Sequence, residues 1–227
     1  MIEVKNISKT YRVGKESTTV VDHVNLTVQQ GELLSIVGHS GSGKTTLLSL
    51  IGGLTRPNSG TVAIDGVDLW SISDGQLAEL RNRKINFIYQ FASLIPTLTA
   101  LENVMLPTLF GHWQGDISGK AKELLAAVGL AAKMQNYPSQ LSGGQQRRVA
   151  IARAFINDPS VVLADEPTGD LDEETEAEIF NFFIELNRQK NTTFIIVTHS
   201  SELAGKTRRQ VRMKNGLLVN GREAGTE

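Results

Sequence analysis

The sequence predicts an α/β fold: a core of buried parallel strands, an antiparallel β subdomain toward the N-terminal end, and an inserted helical subdomain. Three observations carry that reading. Leu33–Val37, Ile85–Tyr89, Val161–Ala164 and Thr193–Thr198 are short apolar runs, the pattern of strands buried on both faces. Ile2-Val4, Val20–Val24 and Leu26–Val28 are separated by polar turns and read as antiparallel strands. Residues 91–159 are mostly helical in pattern and too long for a single crossover between two strands. The predicted organisation is one domain over 1–227, with the α/β core and β subdomain in approximately 1–90 and 160–227 and the helical subdomain in 91–159.

Taken in order, Leu33–Val37 leads into Gly38-His39-Ser40-Gly41-Ser42-Gly43-Lys44-Thr45-Thr46, and Thr46–Ile51 continues as a helix. Strand, glycine-rich turn and helix are what G-x-x-x-x-G-K-[ST] requires of a phosphate-binding loop. Gly38, Gly41 and Gly43 let the chain bend so that successive N–H groups point into one concavity. Those donors, with Ser40, Ser42 and Thr46 among them and a positive helix end behind, suit phosphate oxygens. Lys44 can reach the β- and γ-phosphates, and the Thr45 hydroxyl suits Mg²⁺, a hard cation that keeps several waters. Gly60-Thr61-Val62-Ala63-Ile64-Asp65-Gly66 adds a hairpin-like piece.

Ile85–Tyr89 runs into Gln90, whose amide can touch Mg²⁺ or an attacking water and which opens the helical insert. Lys120–Val128 has helical spacing. Leu141-Ser142-Gly143-Gly144-Gln145-Gln146 opens a helix over Arg147–Phe155, presenting a hydroxyl and backbone donors at a positive helix end. That is a second anion site. One chain has no need of two for one γ-phosphate, which points to a second copy of the chain supplying it.

Val161–Ala164 ends in Asp165 and Glu166. Acids at the end of a parallel strand lie at the sheet edge where ligands bind. Asp165 is expected to hold Mg²⁺ through water, and Glu166 to face the γ-phosphate and polarise the attacking water. Glu173–Gln189 places Ile179, Phe182, Phe183 and Leu186 on one stripe, with acids in its first turn, and reads as a core helix. Thr193–Thr198 ends in His199, a donor for a γ-phosphate oxygen. His23, His39 and His112 have no metal-like spacing and read as ordinary residues.

Composition narrows the alternatives. Net charge is −1 and there is no global basic field, so no nucleic-acid partner is expected. The runs Arg81-Asn82-Arg83-Lys84 and Arg208-Arg209 read as solvated faces. The absence of cysteine excludes disulfides and thiolate metal sites. Met1–Asn6 has no apolar segment of the signal-peptide kind, and no apolar run approaches the roughly 20 residues of a bilayer span. A soluble, cytoplasmic chain is expected, with any membrane span supplied by another polypeptide.

Together these residues resemble the ATP-binding cassette of ABC transporters over nearly the whole chain, which implies a RecA-like P-loop NTPase core. The resemblance makes Gly38–Thr45 Walker A, Gln90 the Q-loop glutamine, Leu141–Gln145 the signature, Val161–Asp165 Walker B and Glu166 the carboxylate after it. Gly169-Asp170-Leu171-Asp172 corresponds to the D-loop, with Asp172 placed among the nucleotide contacts. His199 is the H-loop residue, and Tyr11 holds the position whose ring stacks on adenine. Ile51–Leu54, Leu98–Val104 and Ala164–Gly169 further resemble cassettes of lipoprotein-release, macrolide-export, cell-division and antimicrobial-peptide-resistance systems.

The resemblance implies an ATPase whose two copies close head to tail around two ATP molecules with Mg²⁺. Their separation after hydrolysis then drives a membrane-spanning permease subunit docked near Gln90–Leu109, with Phe91, Leu94, Ile95 and Leu98 in the docking surface. The chain would sit on the cytoplasmic face of the membrane. A mechanotransmission or regulatory ATPase that moves no substrate is the alternative, since it uses the same engine.

Overall fold

The N-terminal alternation runs further than its apolar residues mark. In the computed structural model, which describes residues 1–111, 113, 115–169 and 171–219, β1 (Ile2–Val13) and β2 (Glu16–Val28) form one long antiparallel hairpin. The two expected strands Val20–Val24 and Leu26–Val28 are therefore parts of one. Register shifts around Ile7 and Lys9 absorb an irregularity where His23 takes φ 47. His112 and Asp170 lie outside the described residues. The chain divides into two units, Met1–Arg81 with Thr193–Glu227, and Asn82–Thr192.

In the first unit, β3 (Leu33–Val37) is buried along its whole length, and α1 (Lys44–Ile51) follows the glycine-rich loop. β4 (Ser59–Ile64) and β5 (Val67–Asp68) complete a four-stranded antiparallel sheet in the order β2-β1-β4-β5. Ile2, Val4, Leu26, Val28, Val62 and Ile64 bury one face of it. α2 (Asp74–Lys84) follows, a helix with Leu77 as its one buried residue.

The second unit begins with β6 (Ile85–Ile88), so Tyr89 falls just beyond the strand it was expected to end. Residues 91–99 are not helical. The buried Asn103 side chain ties this segment down, accepting from the Ile95 N–H at 2.8 Å and donating to the carbonyls of Ile95, Leu98 and Thr99 at 3.0–3.1 Å. Helix then comes in short pieces: α3 (Ala100–Met105), capped reciprocally by Thr99 and Glu102, a tight turn over Leu106–Phe110, α4 (Ile117–Ala127) and α5 (Gly143–Ala154). α5 starts at Gly143, not at Arg147, because Ser142 caps it. β7 (Val161–Asp165) pairs parallel with β6, Ile85 opposite Val161 and Ile88 opposite Ala164. α6 (Glu173–Lys190) packs its phenylalanines against Phe155, whose ring lies edge-on to Phe182 at 5.3 Å. The phenylalanine stripe is core.

The chain returns to the first unit with β8 (Thr193–Thr198), α7 (Ser201–Gly205), β9 (Arg209–Lys214) and β10 (Leu217–Val219). β3 pairs parallel with both β8 and β9: Val37 lies opposite Thr198 on one side and Arg212 on the other. The residues after β3 and β8, and the end of β9, therefore share one sheet edge. β9 and β10 form a hairpin through Asn215-Gly216, both at positive φ. The expected solvated face at Arg208-Arg209 is only half right. Arg208 is exposed, but Arg209 donates to the Thr27 carbonyl at 2.7 Å and lies 3.1 Å from Glu32 as an ion pair without hydrogen-bond alignment.

Candidate functional site

The glycine-rich loop after β3 is shaped by what surrounds it. A Cβ on Gly38 would stand 2.3 Å from the Met213 carbonyl oxygen on β9, and one on Gly43 would stand 2.3 Å from the Val20 carbonyl oxygen. Gly43 also takes φ 104, which side-chain-bearing residues rarely adopt. α1 thus begins on a residue with no side chain to cap it. The Ser42 hydroxyl is buried without a protein hydrogen-bond partner. Lys44, itself buried, folds its ammonium back onto the loop and donates to the Gly38 and His39 carbonyls at 2.8 and 3.0 Å.

At the same edge a cavity of about 420 Å³ is lined by Gly38, Ser40 and His199, with Gln210, Arg212 and Lys214 from β9. The structure therefore brings the glycine-rich loop and His199 together. Gly41 and Thr45 are exposed, and Thr46 half-buried, in the loop and the first turn of α1. Tyr11 sits in β1, 42% exposed, with the Lys9 ammonium 5.3 Å from its ring centroid.

In the second unit, Gln90 is exposed just past β6, and Asp165 closes β7, buried. Glu166 is half-buried and takes φ 47, an uncommon conformation for a residue with a side chain. Its carbonyl accepts from the Arg147 guanidinium at 3.0 Å and more loosely from the Gly169 N–H at 3.4 Å. Ser142 and Gln145 satisfy each other: the Ser142 hydroxyl accepts from the Gln145 N–H at 3.3 Å, and the Gln145 carboxamide oxygen accepts from the Ser142 N–H at 3.1 Å. Gly143 faces open space, and a Cβ on Gly144 would lie 3.2 Å from Leu171. The Ser142–Gly144 turn thus lies beside Leu171. Asp172 caps α6, its carboxylate accepting from the Thr175 N–H and hydroxyl at 3.0 and 2.8 Å. Those bonds, the backbone one foremost, hold its carboxyl below the usual range.

Sequence reading missed two sets of residues. Gln210, Arg212 and Lys214 lie in a polar strand that periodicity did not mark, yet they line the cavity, Arg212 and Lys214 supplying its positive charge. Arg147 did leave a signal. With Ala150, Ile151 and Ala154 it forms an i, i+3, i+4, i+7 stripe, so its place in the helix is an inward one. It is 3% exposed.

A parallel strand, an uncapped glycine-rich helix start and a lysine folded into the loop define a P-loop nucleoside triphosphatase. The chain matches the family described as ABC transporter over residues 21–169. It belongs to the ABC transporter family, as an ATP-binding, ATP-hydrolysing cassette. It is 40% identical to the ATP-binding cassette MJ0796 in a dimeric post-hydrolysis state bound to ADP and Pi, with 100% of each chain covered and a TM-score of 0.94. It is 41% identical to MJ0796 in a dimeric structure described as a bacterial ABC transporter cassette, again with 100% of each chain covered and a TM-score of 0.95.

Proposed function

We propose that this cassette is the energy-converting subunit of a membrane complex that exports or extracts a substrate, and that it works by ATP-driven pairing of two copies. The observation that carries the nucleotide reading is the loop of Gly38–Thr46. It has no room for a Cβ at Gly38 or Gly43, its helix start has no cap, and its buried Ser42 hydroxyl lacks a protein partner. Arg212 and Lys214 on the adjoining cavity wall add the charge that an anion needs. Lys44 and the loop from Gly38 to Thr46 hold the β- and γ-phosphates, and Tyr11 stacks on adenine.

Thr45, Gln90 and Asp165 would be the oxygen donors for Mg²⁺, a donor set of the hard kind this cation prefers. When bound, the ion would supply positive charge that offsets the charge of the triphosphate. Glu166 orients and polarises a water for in-line attack on the γ-phosphorus, the bond to the bridging oxygen breaks, and ADP and phosphate are the products. His199 donates to a γ-phosphate oxygen, and Gln90 contacts the water. Ser142, Gly143, Gly144 and Gln145 of the second copy grip the same triphosphate from its other side, with Asp172 beside them. MJ0796 being dimeric at 40–41% identity supports this pairing.

The second unit carries an exposed apolar surface. Phe91, Leu109 and Phe110 are 73%, 77% and 74% exposed, and Tyr89 and Ile95 are exposed beside Gln90, with Leu94 and Leu98 half-buried. Such apolar exposure suits a docking surface for a permease subunit. No helix among the described residues is long and apolar enough to cross a membrane. In the proposed complex the permease supplies the spans and the cassette lies on their cytoplasmic side. The subgroup of export and extraction systems named above is the proposed setting.

The test is Glu166→Gln. ATP binding is retained, turnover falls by about 100-fold or more, and an ATP-bound dimer accumulates on size exclusion. Near-normal hydrolysis by this variant rejects Glu166 as the carboxylate that activates water.

A further inference from the structure

We infer that Arg147 is a positioning residue, locking the Glu166 peptide to the signature helix so that what grips Ser142–Gly144 is felt at the carboxylate that orients water. The inference rests on the nucleotide reading above and adds to it a link within one chain. Arg147 lies one turn into α5, just past the box in which Ser142 and Gln145 cap each other. It is buried, and its guanidinium donates to the Glu166 carbonyl at 3.0 Å. A second, longer contact of 3.5 Å reaches the Tyr89 carbonyl, immediately before Gln90.

The geometry at the acceptor end gives the link its weight. Glu166 holds φ 47, and a side-chain-bearing residue keeps such a conformation only where its surroundings determine it. The Gly169 N–H reaches the same carbonyl at 3.4 Å, so of these two the guanidinium makes the shorter bond. Both contacts come from one guanidinium nitrogen, Nη1, whose N–H groups are held in direction by the planar group.

The same helix holds the far side of Gln90. Arg153 donates to the Ala92 and Ser93 carbonyls at 2.9 and 3.0 Å, and Ser93 is also at positive φ, 46. Residues 89–93 are therefore bracketed by two arginines of α5, with Gln90 between them. Because α5 is a continuous helix from Gly143 to Ala154, displacement at its N-terminus moves both brackets. A nucleotide held by a second copy thereby biases the positions of Glu166 and Gln90, and the bias is reciprocal.

The experiment compares full-length wild type, Arg147→Gln, Arg147→Lys and Glu166→Gln. It measures steady-state hydrolysis against ATP concentration, equilibrium ATP binding, and ATP-driven dimerisation in the Glu166→Gln background. Arg147→Gln is expected to lower kcat about tenfold while the Kd for ATP stays within about twofold, and Glu166→Gln/Arg147→Gln still pairs with ATP. Lysine keeps one donor for the Glu166 carbonyl, so Arg147→Lys is expected at about one third of the wild-type kcat with Kd unchanged. Should the glutamine variant fail to fold, Arg147→Lys decides alone, and an unchanged kcat overturns the inference.

A kcat for Arg147→Gln within about twofold of wild type also overturns it. So does a parallel loss of kcat and ATP binding that lysine does not relieve, since that marks a purely structural arginine. If Glu166→Gln hydrolyses normally, the catalytic reading itself fails. If it is inactive while both Arg147 variants are normal, only the link fails.

Discussion

α1 and α5 both open on glycine-rich turns, but they begin differently. α1 starts on Gly43, which has no side chain to cap it, behind a buried Ser42 hydroxyl without a protein partner. α5 starts on Ser142, whose hydroxyl and N–H are both engaged by Gln145. The first turn leaves its capping to a ligand, whereas the second caps itself. An anion at Ser142 has to exchange against an internal bond worth about 1 kcal/mol, so the isolated chain should bind ATP through α1 alone. α5 then contributes when a second copy brings the triphosphate to it. The two motifs have similar composition and different duties, and the difference lies in one residue, a glycine or a serine at the helix start.

Gly43→Ala is the most damaging way to probe this. The added methyl meets the Val20 carbonyl at 2.3 Å and the backbone must leave φ 104. A strained or shifted loop costs about 2 kcal/mol or more. ATP binding by the isolated chain, measured calorimetrically, is expected to weaken by about 30-fold or more. Retained affinity in this variant breaks the claim that the cradle carries binding.

Ser142→Ala sharpens the other side of the comparison. It removes the N-cap of α5, a loss of about 1 kcal/mol of helix stability. It should leave ATP affinity of the isolated chain within about twofold while lowering kcat about tenfold. A loss of affinity as large as that of Gly43→Ala would put both turns on one footing and remove the distinction.

The comparison also marks what was legible in the sequence. The cradle was legible because strand, turn and helix each carry a local signature, and Leu33–Val37 is observed as β3 with the bounds expected. The start of α5 was read four residues late, since a pair of glycines suggests a loop and the capping box that makes them helical needs Ser142 and Gln145 to be read as a pair. β9 was missed because Met213 is its one fully buried residue, and its polar neighbours serve the cavity. Its turn, Asn215-Gly216, was the available clue. α2 was missed for the same physical reason, a helix that buries only Leu77. What could not be read was the partner of Arg147. Helical periodicity turns the side chain inward, but the carbonyls it meets, at Tyr89 and Glu166, are 58 and 19 residues away along the chain.

The smallest expected effect tests self-capping at a third helix start, α6. Asp172 accepts from the Thr175 N–H and hydroxyl, and these bonds depress its carboxyl. A carboxyl whose folded value lies below its unfolded one stabilises the fold above the ordinary aspartate range, and that stabilisation is lost as pH falls through the depressed value. Asp172→Ala should therefore lower Tm slightly near neutral pH, and the gap to wild type should close as the solution is acidified below the aspartate range. Asp172→Asn can still accept from Thr175 through its amide oxygen. It should keep most of the wild-type Tm and lose this part of the pH dependence. A gap between wild type and Asp172→Ala that persists unchanged into acid would mean that the charge is not what holds the cap, and α6 would then resemble α5, where neutral groups suffice.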